Sequence, residues 1–219
     1  MKSLHVSGAI IRRLPRYYRY LGELKKDGVT RISSGDLSDI MGVTASQIRQ
    51  DLNHFGGFGQ QGFGYRVEYL YDEIGKILGM DRVHHVIMIG AGNLGTALAN
   101  HSGSCTQDFV IDAIFDSNAE RIGKRIRGLR ILSTDSLEKY LASHDADMAA
   151  IAVPREEATG ISERLVASGV KAIWNFSHVD LKVPEVVVVE NVHLYESLMS
   201  LSYKAKAAEE KYAERKETT

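Results

Sequence analysis

Residues 84–100 read HHVIMIGAGNLGTALAN, and this stretch decides the fold. Val86, Ile87, Met88 and Ile89 form a short apolar run of the kind a sheet buries on both faces. Gly90, Gly92 and Gly95 follow at G-x-G-x-x-G spacing, and TALAN continues as a helix. In a strand–loop–helix unit each glycine has a physical task. Gly90 makes the tight turn, Gly92 lets backbone approach a pyrophosphate, and Gly95 lets helix and strand pack closely. The phosphates would face the helix N-terminus, where unpaired N–H groups and the dipole favour negative charge. Gly90, Ala91, Gly92, Asn93, Leu94 and Gly95 are therefore the candidate phosphate loop. The next strand, VIDAIF, ends at Asp116, 21 residues after Gly95. A carboxylate there can accept hydrogen bonds from ribose hydroxyls. Asp116 would repel a 2′-phosphate, and Ser117 follows it in place of an arginine, so NAD(H) is favoured over NADP(H). Glycine turns and strand-end aspartates also occur in α/β folds without a nucleotide, and that reading stays open here.

Downstream, strand and helix keep alternating. RILST leads to the helix DSLEKYLASH, and DMAAIAVP is a strand ending at Pro154. EEATGISERLVASG is a helix, and VKAIWNFS and VPEVVVVEN are strands. This order predicts an α/β fold with a mostly parallel, doubly wound sheet of the Rossmann type. Ligands of such sheets gather at the carboxyl ends of the strands. Those ends are Gly90, Asp116, Val153 with Pro154, and Asn175 with Phe176. A long helix of about residues 193–216 closes the chain. Its apolar positions Leu194, Leu198, Leu201, Ala205, Ala208 and Tyr212 are spaced 4, 3, 4, 3, 4, a heptad-like stripe. Such a stripe packs either on its own domain or on a second subunit.

Upstream, Pro15 suits the first turn of a helix that carries Tyr17, Tyr18, Leu21 and Leu24 and stops at Gly28. In RISSGDLSDIMG, Ser33 or Ser34 can cap a short helix that Gly42 ends. Thr44 caps a third helix, ASQIRQDLNHFG, whose Ile48, Leu52 and Phe55 share a face. Ser46, Gln47, Arg49, Gln50 and Asn53 fall largely on the other. Helix, three-residue turn with glycine, helix is the spacing of a helix-turn-helix, whose second helix can lie in a major groove. Gln and Asn read base edges, and Arg reads guanine or holds phosphate. GGFGQQGFGYRVEYL then reads as a hairpin in which Tyr65, Val67 and Tyr69 alternate, completing a winged helix. Small three-helix units also serve as dimerisation or lid modules.

Charge divides the chain at the same place. Residues 1–66 hold ten basic and five acidic residues, a charge of +5. The remaining 17 basic and 23 acidic residues give -6, so the net -1 of the 219-residue chain conceals two unlike parts. A basic head on an acidic body fits two partners, one of them nucleic acid. Its cations lie mainly in the first helix, where Arg12, Arg13 and Arg16 are candidate phosphate contacts. At 44% hydrophobic and 25% charged the composition is globular rather than disordered. The single cysteine, Cys105, excludes an internal disulfide framework and a Cys-based zinc cluster, and no metal is expected. No apolar run reaches the ~20 residues of a membrane span, and arginines come too early for a signal peptide. The expectation is a cytoplasmic protein with domains 1–80 (winged helix and linker helix), 81–192 (Rossmann) and 193–219 (C-terminal helix and tail).

The order winged helix, NAD-type Rossmann domain, C-terminal helix resembles the Rex family of redox-sensing transcriptional repressors. The resemblance spans nearly the whole chain and is carried by RLPRYYRYL (13–21), RISSGDLSDIMGVTASQIRQDLNHFG (31–56), GYRV (64–67), GAGNLGTALAN (90–100), FDSN…IG (115–123), AVPREEA (152–158), NF (175–176) and VPEVVVVENV (183–192). It implies a homodimer that binds double-stranded DNA at an AT-rich inverted repeat and blocks transcription. NADH would favour a closed form that releases DNA, with NAD+ competing for the site, and the C-terminal helix would be swapped between subunits. Ser46, Gln47, Arg49 and Gln50 would face the major groove. The wing, including Gln60, Gln61, Gly62 and Tyr65, would touch the minor groove.

The chain departs from the family where Gln50 and Gln61 stand in place of basic residues, which implies altered base preference and a shallower salt dependence. The family's switch joins an Arg, a Tyr and an Asp. The matching residues here are Arg19, His101 and His193, and Leu194 stands for the aromatic beside the nicotinamide. Protonated histidines beside an arginine would repel, so a redox response that varies with pH between roughly 6 and 7.5 is one expectation. Neutral, hydrogen-bonded interface histidines are the other. The competing class is an NAD-dependent oxidoreductase with a helical N-terminal domain, with His101 or His178 as proton donor. It is disfavoured because no substrate domain follows the sheet and the first domain is basic. A regulator sensing another nucleotide is a third class.

Overall fold

Ile10, Leu14, Tyr17 and Leu21 recur along α1 (Gly8–Lys26) at helical spacing, and all four are buried. A computed structural model describes residues 8–55, 58–60, 64–105 and 108–217. The chain divides after Arg82 into two compact units. In the first, α1 begins further upstream than Pro15 signals, because Ile10 and Leu14 extend the buried stripe. Pro15 therefore lies inside the helix rather than in its first turn. It is exposed there, so the carbonyl it leaves unpaired can be met by water.

Strand β1 (Arg31–Ile32), α2 (Ser34–Met41) and α3 (Ala45–Asn53) follow. Ser33 caps α2 in a reciprocal box. Its hydroxyl accepts from the Asp36 N–H, and the Asp36 carboxylate accepts from the Ser33 N–H. Gly42 ends α2 in the left-handed region at φ 65°, where a side chain would be strained, and Thr44 caps α3 by accepting from the Gln47 N–H. Strands β2 (Gly59–Gln60) and β3 (Gly64–Arg66) join β1 in the antiparallel order β1-β3-β2, so the wing has a third strand that pattern reading omits. Val67 and Tyr69, expected to continue the hairpin, open α4 (Val67–Leu78) instead. Val67, Leu70 and Ile74 are spaced for a helix and buried, and helical burial of three residues outweighs a two-residue extension of strand. Helix α4 packs on α1, with the Tyr18 and Tyr71 rings stacked at 4.3 Å. It is thus part of the first core and not a bare linker.

The polar centre of this unit is Asp51 of α3, fully buried. Its Oδ2 accepts from Arg13 Nε at 2.7 Å and Tyr17 Oη at 2.9 Å. Its Oδ1 accepts from Arg13 Nη2 at 2.7 Å and Gln47 Nε2 at 2.8 Å. Four donors fill the four lone-pair sites of the carboxylate. Burial alone would raise its pKa, but the hydrogen bonds from Arg13, Gln47 and Tyr17 prevail and hold it below the usual carboxylate value. Burial, and then the bond to Asp51, push the Tyr17 phenol up.

The second unit runs β4 (His84–Ile89), α5 (Asn93–Cys105), β5 (Phe109–Asp116), β6 (Arg125–Ile126), β7 (Leu129–Ser133), α6 (Leu137–Leu141), β8 (Met148–Ile151), α7 (Arg155–Ala167), β9 (Ala172–Asn175), β10 (Val188–Asn191) and α8 (Leu194–Glu217). The sheet order is β10-β9-β8-β4-β5-β7-β6. Every pairing is parallel except the β6–β7 hairpin, which the sequence reading did not foresee. Counting only the parallel strands in chain order, this is the 3-2-1-4-5-6 arrangement, with its switch point between β4 and β8. Along β4, Ile87 and Ile89 enter one core and Val86 and Met88 the other, as a two-residue period requires. The expected helix over DSLEKYLASH is shorter, a 3₁₀ turn (Thr134–Ser136) followed by α6. No described helix is long and apolar enough to cross a membrane.

Asp51→Ala is expected to destabilise the protein by about 3–5 kcal/mol in urea unfolding, because it strands the Arg13 guanidinium and the Tyr17 hydroxyl. Since the folded carboxyl lies below its unfolded value, its contribution is present above the unfolded pKa. It is lost as pH falls through the folded one. The unfolding free energy of Asp51→Asn, measured in urea at a series of acid pH values, should therefore vary less with pH than that of the parent chain.

Candidate cofactor crevice and DNA-reading surface

The sheet order brings the expected strand-end residues to one edge of the second unit. Gly90 follows β4 at φ 102°, a conformation L side chains rarely adopt. A Cβ there would collide with the Ala152 carbonyl, and Val153 Cγ1 would lie 3.1 Å away. A Cβ on Gly95 would collide with the Gly90 carbonyl oxygen. Gly92 differs, because the nearest atom to a Cβ would be Arg121 Nη1 at 4.0 Å. The first and third glycines are thus demanded by packing, while the second leaves open the space a phosphate would use. Thr96 closes the first turn of α5, its Oγ1 donating to the Ala91 carbonyl at 3.1 Å. Ala91 is buried, while Asn93 and Leu94 form the first residues of α5.

Asp116 ends β5 and is buried. Its Oδ2 accepts from the Ala91 N–H and its Oδ1 from the Asn118 N–H, both at 2.7 Å. Arg121 Nη1 lies 3.3 Å from Oδ2. The carboxylate therefore braces the glycine loop as well as ending the strand, and three donors occupy most of its accepting capacity. Arg121 was missed by sequence reading, which looked for a cation only at the next position. Glu157 was missed too. It lies in the first turn of α7, where the Ser117 hydroxyl donates to it at 3.3 Å.

On the other side of the switch point, Pro154 caps α7 and is exposed, and Val153 is half-buried. Phe176 is buried with its ring edge-on to Trp174 at 4.5 Å. Asn175, a candidate cofactor contact, has a fully buried side chain whose bonds are internal. Its Nδ2 donates to the Val179 carbonyl and to Asn191 Oδ1, both at 2.8 Å. Its Oδ1 accepts from the Ser177 N–H and hydroxyl. The side chain thus ties β9 to β10, with no donor left for a ligand.

In the first unit, Ser46, Arg49 and Gln50 of α3 are exposed and Gln47 is half-buried. Arg49 Nη1 donates to Ser34 Oγ at 2.9 Å. The first-helix cations separate. Arg12 is exposed, Arg16 Nη2 donates to the Met41 carbonyl at the end of α2 at 2.7 Å, and Arg13 is committed to Asp51. Arg13 is therefore a structural cation and not a free phosphate contact. Tyr65 is likewise corrected. In β3 its ring points into the core while Arg66 points out, as strand alternation requires. Gln61 and Gly62 lie outside the described residues, and only the backbone of Gln60 is described. Of the switch candidates, Arg19 is exposed with its guanidinium 4.5 Å from the Tyr20 ring centroid, and His101 is exposed on α5. His193 Nε2 faces Asp180 Oδ1 at 3.5 Å, a carboxylate the sequence did not place beside it.

Comparison with known proteins assigns both units. A family described as putative DNA-binding protein N-terminus matches residues 5–53, and the CoA binding domain family matches residues 81–179. The redox-sensing transcriptional repressor Rex of Clostridioides difficile is 53% identical over 199 residues, 91% of this chain and 95% of that protein. The chain belongs to the Rex family of redox-sensing transcriptional repressors. RSP, a Rex-family repressor solved with β-NAD+ and operator DNA, superposes with a TM-score of 0.87 at 50% identity, covering 98% of this chain and 99% of that one. RSP solved with β-NADH gives 0.85 at 49% identity over 94% and 96%. The relatives are named as transcriptional repressors, which favours the regulator over the oxidoreductase alternative.

In this chain, Gly95→Ala should cost about 1–3 kcal/mol through overpacking against the Gly90 carbonyl. Gly92→Ala meets nothing closer than 4.0 Å and should unfold at the parent temperature. Differential scanning calorimetry of the two variants checks the contrast.

Proposed function

We propose that this protein binds NAD(H) at the glycine loop, works as a homodimer on an inverted DNA repeat, and releases that DNA when NADH binds. The observation that carries this reading is the 0.87 superposition, over nearly both full chains, on a relative solved with β-NAD+ and operator DNA together. The glycine loop Gly90–Gly95 would hold the pyrophosphate, with Asp116 and Arg121 at the adenosine end and Val153, Pro154 and Phe176 toward the nicotinamide. NADH and NAD+ differ by a positive charge on the nicotinamide ring. An apolar wall disfavours the charged form, because burying an unpaired cation is costly. Residues 1–80 form the DNA-binding domain with α4, 81–192 the sensor, and 193–219 the dimer helix and tail. The protein acts in the cytoplasm, and no metal is needed for any step.

Homodimerisation is supported by α8. Leu194, Leu198, Leu201 and Tyr212 on its stripe are each more than half exposed. From Leu194 to Tyr212 the stripe runs about 27 Å along the 24-residue helix, and an exposed apolar stripe of that length favours a covering surface. A second copy supplies one and gives the two-fold symmetry that an inverted repeat needs. Exchange of α8 between the copies would set Leu194 near the partner's crevice. His101, His193 and Arg19 are the switch residues of this reading.

A ligand shifts a two-state dimer only by its differential affinity for the states, and DNA must weaken NADH binding by the same factor that NADH weakens DNA binding. Mobility shift of an AT-rich inverted-repeat duplex tests the reading. NADH should release the duplex and NAD+ should protect it. A tenfold loss of DNA affinity corresponds to about 1.4 kcal/mol of coupling. Gly92→Ala should bind DNA yet respond to NADH only at much higher concentration. Release by NADPH or ATP and not by NADH would overturn the assignment.

A further inference from the structure

Gln47 sits in the first turn of α3, the part of a recognition helix that reaches base edges. Its side chain is not free to turn. Nε2 donates to Asp51 Oδ1 at 2.8 Å, one helical turn further on. The reverse orientation would set Oε1, an acceptor, against a carboxylate oxygen. It would also leave one of the four accepting sites of a fully buried Asp51 empty. Asp51 in turn cannot rotate toward another partner, because Arg13 holds both of its oxygens at 2.7 Å and Tyr17 donates to one of them. Arg13 and Tyr17 belong to α1, so the first helix reaches through a buried carboxylate to the amide of a half-exposed glutamine on α3.

We propose that Asp51 is a positioning residue for base readout, fixing the Gln47 amide so that Oε1 is the atom offered to the major groove. This deepens the DNA-reading function proposed above and rests on it. A free glutamine can present either its oxygen or its nitrogen, and so tolerates amino and keto bases alike. An anchored one offers an acceptor with at most one N–H beside it. Such an edge takes a hydrogen bond from an exocyclic amino group. It therefore favours adenine, whose N6–H donates and whose N7 can accept the remaining N–H, over guanine and thymine, which present O6 and O4. Arg49 does not duplicate this role, because a guanidinium offers donors and no acceptor.

The test uses the full-length protein and a duplex selected from a random pool, then changed symmetrically one base pair at a time. The parent chain should show one position per half-site where an amino base is preferred over a keto base by about tenfold, the scale of one good base contact. Gln47→Ala should reduce that preference to about threefold or less, leaving the other positions unchanged. Asp51→Asn offers both a donor and an acceptor to Gln47, so it should admit the keto base at that same position, a relaxation that general loss of stability would not produce. An unchanged preference profile in Gln47→Ala overturns the proposal. So does a folded, DNA-binding Asp51→Asn that keeps the parent profile. Where Asp51→Asn does not fold, Gln47→Ala decides alone. Selection of no duplex by the parent chain overturns the DNA-reading function itself, a result distinct from either profile.

Discussion

A carboxylate removed from water must find its donors inside the protein or lose its charge, and each unit of this chain is arranged around one such group. Asp51 collects Arg13, Tyr17 and Gln47 and so locks α3 against α1. Asp116 collects the Ala91 and Asn118 amides and Arg121 and so locks the glycine loop against the end of β5. The elements fixed in this way are the ones the proposed function uses, the helix assigned to DNA and the loop assigned to phosphate. A buried ion pair adds little net stability compared with an apolar replacement of the same shape. Its value here lies in geometry, because the donors have one satisfactory arrangement.

The division of labour among the basic residues follows. A count of +5 over residues 1–66 treats every cation as available to nucleic acid. The structure withdraws Arg13 into the core and bends Arg16 onto the α2 carboxyl end. The free positive charge over this unit is smaller than the count, and non-specific phosphate attraction falls with it. In the proposed reading, neutral side chains such as Gln47 and Gln50 carry correspondingly more of the discrimination.

Several signals were local and therefore legible without a structure. The capping serine and threonine, Gly42 between two short helices, and the glycine spacing after a buried strand each depend on a few consecutive residues, and the structure has all of them where the pattern does. Misreadings came where local preference was overruled. Tyr65, Val67 and Tyr69 alternate like a strand, yet Val67 belongs with Leu70 and Ile74 on a helix because α1 offers that helix a surface to bury. Pro15 reads as a helix start, yet Ile10 and Leu14 draw the helix past it.

The sequence by itself determined the two modules, their order, and the family, because helix spacing, strand alternation and glycine turns are properties of neighbouring residues. Only the tertiary structure decided which of the named polar residues are free to act. Arg13, Asn175 and Tyr65 look available in a linear reading, but each is consumed by partners or burial contributed from elsewhere in the chain, 38 positions away in the case of Arg13 and Asp51. Arg121 and Glu157 came to notice only when β5 and α7 were brought to the same edge of the sheet. Hydrogen-bond capacity is finite, and how it is spent depends on contacts that sequence separation does not reveal.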